Sequence, residues 1–160
     1  MSGSSCEVCA HNDSIERGDD AHAIARLQTG YVKLNPMQYF RGYTTFTATR
    51  CVPELHHLSN GERDRFLHEM AEVAHALWRA CTARKLNYEL LGNGAAHLRW
   101  HLFPRYDTDA FPGWPVWSDP KLHELWAEGA RLDPDDRDAL RARILTELRA
   151  SDVVIEQEYC

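Results

Sequence analysis

The stretch from 93 to 105, Asn-Gly-Ala-Ala-His-Leu-Arg-Trp-His-Leu-Phe-Pro-Arg, constrains the fold more than any other part of the chain. Side chains on an extended strand point alternately to opposite faces. His97, Arg99 and His101 therefore share one face, and the apolar residues between them suit a core. A guanidinium between two imidazoles is costly unless an anion or a metal lies in front of it. The pattern predicts a strand with one buried face and an anion or metal site on the other.

Length and composition suit one globular domain. The chain has 160 residues, of which 26% are charged and 44% hydrophobic, and this is enough for a core without disulfide bonds. The net charge of −6 argues against a nucleic-acid partner, because nucleic-acid-binding proteins usually carry a basic stripe. No apolar run reaches membrane-spanning length, and the N-terminus lacks the features of a signal peptide. We therefore expect no membrane partner and a cytoplasmic location.

The cysteines favour a metal site over disulfide bonds. There are five of them, an odd number, and a cytoplasmic setting keeps thiols reduced. Cys6 and Cys9 have the two-residue gap that lets a tight turn direct both thiolates at one ion. The pair alone predicts part of a metal site, since a complete site needs two more ligands from elsewhere.

Hydrophobic periodicity indicates strands and a long helix. The segments with the alternation or β-branched content of strands are 23–35 (two strands joined by a turn), 42–49, 86–91 and 97–105. Ser59 and Glu62 have the spacing of a capping box, which predicts a helix from that point to about Ala83. The order of these elements favours a mixed sheet-and-helix domain.

The C-terminal part reads as a loop followed by helices. The segment 106–120 is rich in Asp, Pro, Gly and Trp and predicts an ordered loop, and 121–130 is a candidate for a short helix. Pro134 suits the first turn of a last helix, and the tail 151–160 is expected to be mobile. We expect a domain over 1–120 with an N-terminal Cys-x-x-Cys element, and a helical extension over 121–160 packed on the same domain.

With these pieces in place, the chain resembles the histidine triad superfamily. The segment 97–106, His-Leu-Arg-Trp-His-Leu-Phe-Pro-Arg-Tyr, is similar to the bacterial pattern HLHWHLxPRY. The segments Phe40–Tyr43 and Leu58–Ser59 match in the expected order, so that the resemblance covers roughly the first three quarters of the chain. It implies an α+β fold with a twisted, mostly antiparallel sheet packed with helices, to which this chain adds a C-terminal helix. It also implies a homodimer.

The resemblance implies nucleotide chemistry, and one residue departs from it. Family members cleave or transfer at the α-phosphate, and the second histidine attacks phosphorus. Arg99 stands at that position here, and a guanidinium stays protonated and cannot attack, although it can grip a phosphate or carboxylate. The implied partner is a small molecule, a nucleotide or another anion. Asn93, Arg99 and His101 would bind it and carry any catalysis, with Trp114 and Trp117 completing the pocket.

A structural zinc ion is the second implication of the resemblance. Zinc-binding members use an early Cys-x-x-Cys, a histidine after a central strand and the first triad histidine, and here Cys51 replaces the strand-end histidine. The implied ligands are Cys6, Cys9, Cys51 and His97. Thiolate replaces imidazole readily on zinc, and a four-ligand site leaves no open position for substrate. His56 and His57 are rival ligands, although their place beside a helix start suits surface or capping residues.

Three functions remain open from the sequence. The first is an enzyme related to hydrolases and transferases of this family but with a changed mechanism, in which Arg99 holds an anion and His101 acts as acid or base. The second is a binding protein that keeps nucleotide affinity without catalysis. The third is a pocket reused for a non-nucleotide substrate, for example in a biosynthetic pathway, because function resides in the site rather than the fold.

Overall fold

An antiparallel sheet organises the protein, which in this computed structural model is described over residues 6–124 and 130–160. The strands are β1 Ala23–Leu27, β2 Gly30–Leu34, β3 Thr44–Ala48, β4 Lys85–Glu89, β5 Arg99–Arg105 and β6 Ile155–Glu158. They lie in the order β4-β5-β3-β2-β1-β6, and each adjacent pair is antiparallel. The predicted α+β class and the predicted strands β1 to β5 are confirmed.

The helices begin where the sequence supplies capping groups. They are α1 Glu7–Glu16, α2 Asn60–Cys81 and α3 Pro134–Arg149. The Ser59 hydroxyl accepts from the Glu62 amide and the Glu62 carboxylate accepts from the Ser59 amide, so the predicted capping box is present. Asp133 caps α3 by accepting from the Asp136 amide at 2.9 Å. Within the described ranges, no helix combines the length and the apolar character needed to cross a bilayer.

One face of the sheet forms the main core with α2 and α3. Phe46 of β3 stacks on Phe66 of α2 with ring centroids 4.9 Å apart. Leu98 and Leu102, which alternate with the histidines and Arg99, are buried in the same cluster as Leu140 of α3. Burial of one such side chain stabilises the fold by about 1.5–3 kcal/mol. Because Leu98 and Leu102 are buried in this core, Arg99 and His101 lie on the opposite face of the sheet.

The opposite face is covered at two places and open between them. Ile15 of α1 packs against Ala23 and Tyr31. A second small cluster contains Tyr43 and Phe103, whose rings stack with centroids 4.1 Å apart. A cleft remains between α1 and this aromatic cluster, and its floor is formed by β5, β3 and β2.

Both ends of the chain differ from the predictions. The Cys-x-x-Cys pair does not lie in an isolated tight turn, since Cys6 is the residue before α1 and Cys9 is in its first turn. The tail expected to be mobile forms β6, which pairs with β1. Arg141 of α3 helps to hold it by donating to the Tyr159 carbonyl at 2.7 Å. Of the short helix expected at 121–130, residues 122–124 are helical and 125–129 lie outside the described residues.

The C-terminal segment packs on the same body as the rest of the chain. Helix α3 lies against α2, and β6 extends the sheet beyond β1. The boundary at residue 120 stays a prediction.

Candidate metal centre and anion cleft

Backbone pairing near the ends of β3 and β5 brings Cys51 next to His97. The Ala48 amide donates to the Leu98 carbonyl at 3.0 Å, and the Leu98 amide donates to the Val52 carbonyl at 2.7 Å. These bonds extend the contact of the two strands beyond the regular ladder. The ligand atoms of Cys51 and His97, the residues before Val52 and Leu98, lie within 4.8 Å of each other.

His97 is oriented by a buried carbonyl. Its side chain is fully buried, and Nε2 lies 2.8 Å from the Ala48 carbonyl oxygen. A carbonyl oxygen can only accept, so Nε2 must carry the proton and Nδ1 must present its lone pair. Nδ1 lies 3.4 Å from Cys6 Sγ and 3.6 Å from Cys9 Sγ. The lone pair of His97 thus faces the two thiols.

Four side chains form a cluster with the dimensions of a tetrahedral metal site. The ligand atoms of Cys6, Cys9, Cys51 and His97 all lie within 4.8 Å of one another. Zinc–sulfur bonds of about 2.3 Å and zinc–nitrogen bonds of about 2.0–2.1 Å at a tetrahedral angle separate sulfur from nitrogen by about 3.5 Å. The two sulfur–nitrogen distances, 3.4 and 3.6 Å, fit this value. The cluster therefore supports metal binding by three thiols and one imidazole.

The two thiols of the Cys-x-x-Cys pair differ in pKa. The backbone amide of Cys9 lowers the pKa of the Cys6 thiol to about 6, which favours the thiolate at neutral pH, whereas burial and the neighbouring thiols raise the pKa of the Cys9 thiol. Cys9 must therefore release its proton when a metal binds. The rival ligands His56 and His57 lie in a 3-10 turn, where their exposed rings pack on each other with centroids 4.4 Å apart. They do not belong to the cluster of four.

The cleft on the sheet face opposite the main core lies next to this cluster and has a volume of about 620 Å³. Arg99 and His101 of β5 lie opposite Thr47 and Thr45 of β3 in the strand register. Thr45 lies in turn opposite Lys33 of β2. The cleft therefore has a polar floor that crosses three strands.

Arg99 enters the cleft without a carboxylate partner. Its Nη1 donates to the carbonyls of Ala95 at 2.9 Å and His97 at 3.0 Å, which fixes one edge of the guanidinium. Throughout the part of the chain that the structure describes, no acidic side chain forms an ion pair with Arg99. Lys33, the other cation of the floor, pairs with Asp20. The charge of Arg99 is thus available to a ligand, and an anion is the ligand that it would attract.

His101 is neutral in the folded protein. Burial, and then the positive charge of Arg99, lower the pKa of His101 to about 4. Nδ1 forms a 2.6 Å hydrogen bond with the hydroxyl of Tyr43, whose own pKa burial raises. The hydroxyl can donate to Nδ1 or accept from it, so Nε2 can present either a proton or a lone pair. His101 can therefore act as an acid or a base, and a ligand bound beside it could change its protonation state.

The remaining predicted site residues lie outside this cleft in the single chain. Asn93 is exposed in the loop before β5, and it lines a smaller pocket of about 260 Å³ on the other side of Arg99. Trp114 is 59% exposed and lines a pocket with Arg105. Trp117 packs edge-on against Phe103 with ring centroids 6.1 Å apart. The structure thus brings Arg99 and His101 together in the cleft, and Asn93 shares the smaller pocket with Arg99. Neither tryptophan lines either of these two pockets.

Several residues of the cleft were missed from the sequence. They are Glu7, Val8, His11 and Asn12 of α1, with Lys33, Asn35, Thr45 and Thr47 of the floor and rim. Alternation along the strands could have indicated the threonines, which occupy one face at every second position of a strand that was predicted. The α1 residues had no such signal, because the helix itself was not predicted.

Comparison with solved structures identifies the fold as that of the histidine triad proteins. A histidine triad protein from Sinorhizobium meliloti aligns with a TM-score of 0.67 and 22% identity, over 84% of this chain and 93% of the other. One from Marinobacter aquaeolei gives 0.67 and 19%, over 84% and 94%. A zinc-bound family protein from Mycobacterium smegmatis gives 0.62 and 20%, over 91% and 94%. No family sequence model and no curated protein matches the chain.

Proposed function

We propose that this protein is a zinc-containing member of the histidine triad family with a pocket for a nucleotide or another phosphate-type anion, and that it is an enzyme with non-standard chemistry. The observation that carries the proposal is the geometry of β5. An arginine without an acidic partner shares a cleft with a half-buried, neutral histidine. An anion beside Arg99 would neutralise the charge that helps to keep His101 unprotonated.

The roles follow from the groups present. Arg99 holds the anion and stabilises charge that develops on it, while His101 transfers a proton through Nε2. A covalent step at the second triad position is excluded, because a guanidinium is not a nucleophile. Tyr43 orients the imidazole of His101 through the 2.6 Å bond to Nδ1. Asn93, Trp114 and Trp117 stay predictions for the part of the ligand that extends beyond the cleft.

We assign zinc to the cluster of three cysteines and His97, with a structural role. A site closed by four protein ligands has no position for substrate, and its binding energy contributes to folding. The fit of the sulfur–nitrogen distances and the orientation of His97 support the assignment. The ion would join the start of α1 to the segments that flank β3 and β5.

Metal analysis of single-cysteine variants tests the zinc assignment. Cys51→Ser removes one ligand, and we expect the zinc content of the purified protein to fall well below one ion per chain. Cys160→Ser is the matched control, because Cys160 is also exposed and lies outside the cluster. Equal zinc content in both variants and the natural protein would refute the assignment.

The anion site is tested by binding and by hydrolysis. Thermal shift and calorimetry with AMP and inorganic phosphate should show stabilisation of the natural protein by mass action and its loss in Arg99→Gln. Hydrolysis of adenosine phosphoramidate and of diadenosine polyphosphates is then compared between the natural protein and Arg99→His. If only the histidine variant hydrolyses them, ordinary nucleotide hydrolysis is not the native reaction. If the natural protein binds neither AMP nor inorganic phosphate, the proposed anion site is refuted.

One observation favours the binding protein as a second candidate. A pKa of about 4 makes His101 a weak base, and a weak base contributes little to proton abstraction near neutral pH. A protein that binds AMP but turns over none of the tested substrates would support this candidate. A pocket reused for a non-nucleotide substrate would instead bind phosphate and not AMP.

We also propose a cytoplasmic homodimer, as the family resemblance implies. Strand β4 lies at one edge of the sheet, and its Tyr88 is 50% exposed, which would suit pairing with a second copy. Light scattering coupled to gel filtration measures the mass in solution, and a monomeric mass at micromolar concentration would refute the dimer.

A further inference from the structure

Helix α1 belongs to both the metal cluster and the anion cleft. Its first turn carries Cys9 and follows Cys6, and its next residues line the cleft opposite the floor. The residues of α1 that line the cleft are Glu7, Val8, His11 and Asn12. The spacing of these residues, in two pairs one turn apart, places them on one side of the helix.

The two ends of α1 are held in different ways. At the C-terminal end Ile15 is buried, and the Glu16 carboxylate accepts from the Tyr31 hydroxyl and from Arg26. Towards the N-terminal end, Asn12 donates to the Ala48 carbonyl at 3.1 Å. The other attachment of this end is the metal cluster, through Cys6 and Cys9. The turn that faces Arg99 therefore depends on the metal cluster for much of its anchoring.

His11 is the group on α1 that suits an anion. Its side chain is exposed at the cleft, and within the described ranges it forms no hydrogen bond or ion pair. An imidazole N–H can donate a hydrogen bond to a phosphate oxygen. Glu7, one turn earlier on the same wall, has the opposite effect, because its charge repels an anion.

We propose that His11 contacts the anion bound at Arg99, and that the metal cluster controls the affinity of the cleft by fixing the first turns of α1. This inference rests on the proposed anion site. Metal binding completes the wall that carries His11, and loss of the metal withdraws His11 from the ligand. The anion and the metal are then thermodynamically linked through a helix.

The first test measures phosphate binding to the zinc-loaded protein by calorimetry. His11→Ala should raise the Kd for inorganic phosphate about tenfold, which is typical of a hydrogen bond to a charged group. Alanine is a better helix former than histidine, so the variant does not weaken α1 by propensity. Glu7→Gln should lower the Kd by about two- to fivefold. His75→Ala, on the outer surface of α2, is the control and should leave the Kd unchanged.

The second test removes the metal with a chelator and repeats the titration. The Kd should rise by at least the factor found for His11→Ala, and the His11→Ala substitution should then have little further effect, because both changes remove one contact. Hydrogen exchange of the α1 amides should accelerate after metal removal, while exchange in α2 stays slow. The hydrogen-exchange measurement detects release of α1 separately from any change in phosphate affinity.

The outcomes separate this inference from the anion site itself. If phosphate binds, Arg99→Gln abolishes binding and His11→Ala leaves the Kd unchanged, the anion site stands and the role of His11 is refuted. Unchanged affinity after metal removal would refute the control by the metal, whether or not exchange in α1 accelerates. If the zinc-loaded natural protein binds neither phosphate nor AMP, the anion site and this inference both fail.

Discussion

The half-buried imidazole of His101 leads to a measurable prediction for the dependence of stability on pH. An unfolded histidine has a pKa of about 6.5, and in the folded protein burial and Arg99 lower the pKa of His101 to about 4. Between these values the unfolded chain binds more protons than the folded protein, so stability falls as the pH falls through the window. Below about pH 4 both states are protonated and the contribution changes no further.

The size of the effect follows from the linkage relation. At pH 5 the unfolded imidazole is almost fully protonated and the folded one is still mostly neutral. About 1.4 kcal/mol per pH unit, over the roughly 1.5 units below the unfolded pKa, gives about 2 kcal/mol lost from the free energy of unfolding. His101→Gln keeps a hydrogen-bonding side chain next to Tyr43 but cannot take up this proton, so it should lose about 2 kcal/mol less than the natural protein between pH 7 and pH 5.

Urea unfolding of both proteins at several pH values between 4 and 8 tests this prediction. Loss of the metal in acid also lowers stability, but it affects both proteins and is removed by the comparison. His75→Gln supplies the control, because His75 is exposed on α2 and lies outside the cleft. Parallel stability curves for His101→Gln and the natural protein would refute the reasoning. Saturating phosphate should reduce the difference, because an anion at Arg99 raises the pKa of His101.

Other predictions concern contacts outside the cleft and are measured by urea unfolding at neutral pH. Gly30→Ala should destabilise the fold by about 1–3 kcal/mol, because the new Cβ would overlap the Phe46 ring. Gly61→Ala, with open space in the first turn of α2, should instead stabilise by up to about 1 kcal/mol, and equal effects would contradict the packing argument. Glu69→Ala should cost about 1–3 kcal/mol, because the buried carboxylate accepts from both the amide and the hydroxyl of Thr29 at the β1–β2 turn. Glu69→Gln keeps one acceptor and should cost less, and a larger loss in the glutamine variant would refute this assignment.

The elements that could be predicted from the sequence are those whose own pattern encodes them. The alternation in β5 predicted both the strand and the face that carries Arg99 and His101, and the Ser59 capping box predicted the start of α2. Strand β6 has no such pattern. Its sequence, Ile-Glu-Gln-Glu, is poor in strand-forming residues, and it pairs with β1 while Arg149 binds Glu158. Tertiary contacts far along the chain decide its structure.

Helix α1 escaped prediction for a related reason. It is rich in Asn, Asp, His and Ser and has few apolar residues, of which Ile15 is the one that is fully buried. These residue types have modest helix propensity, and an amphipathic pattern is almost absent. What holds the helix is the thiol cluster at one end and the Glu16 contacts at the other. Because α1 is stabilised by a few specific contacts rather than by burial of an apolar face, its sequence has no periodic pattern from which the helix could be predicted.

Two histidines, His97 just before β5 and His101 within it, are assigned different chemistry by their hydrogen-bond partners. His97 donates from Nε2 to the Ala48 carbonyl and therefore presents Nδ1 to the thiols. His101 engages Tyr43 through Nδ1 and therefore presents Nε2 to the cleft. A carbonyl accepts only, so His97 has one fixed tautomer, which suits a permanent metal ligand. A hydroxyl can donate or accept, so His101 can exchange its proton, which suits a group that responds to the ligand. The alternating pattern places both imidazoles on the side of the sheet opposite the main core. The hydrogen-bond partner of one ring nitrogen then determines whether the other nitrogen serves as a metal ligand or as an acid or base.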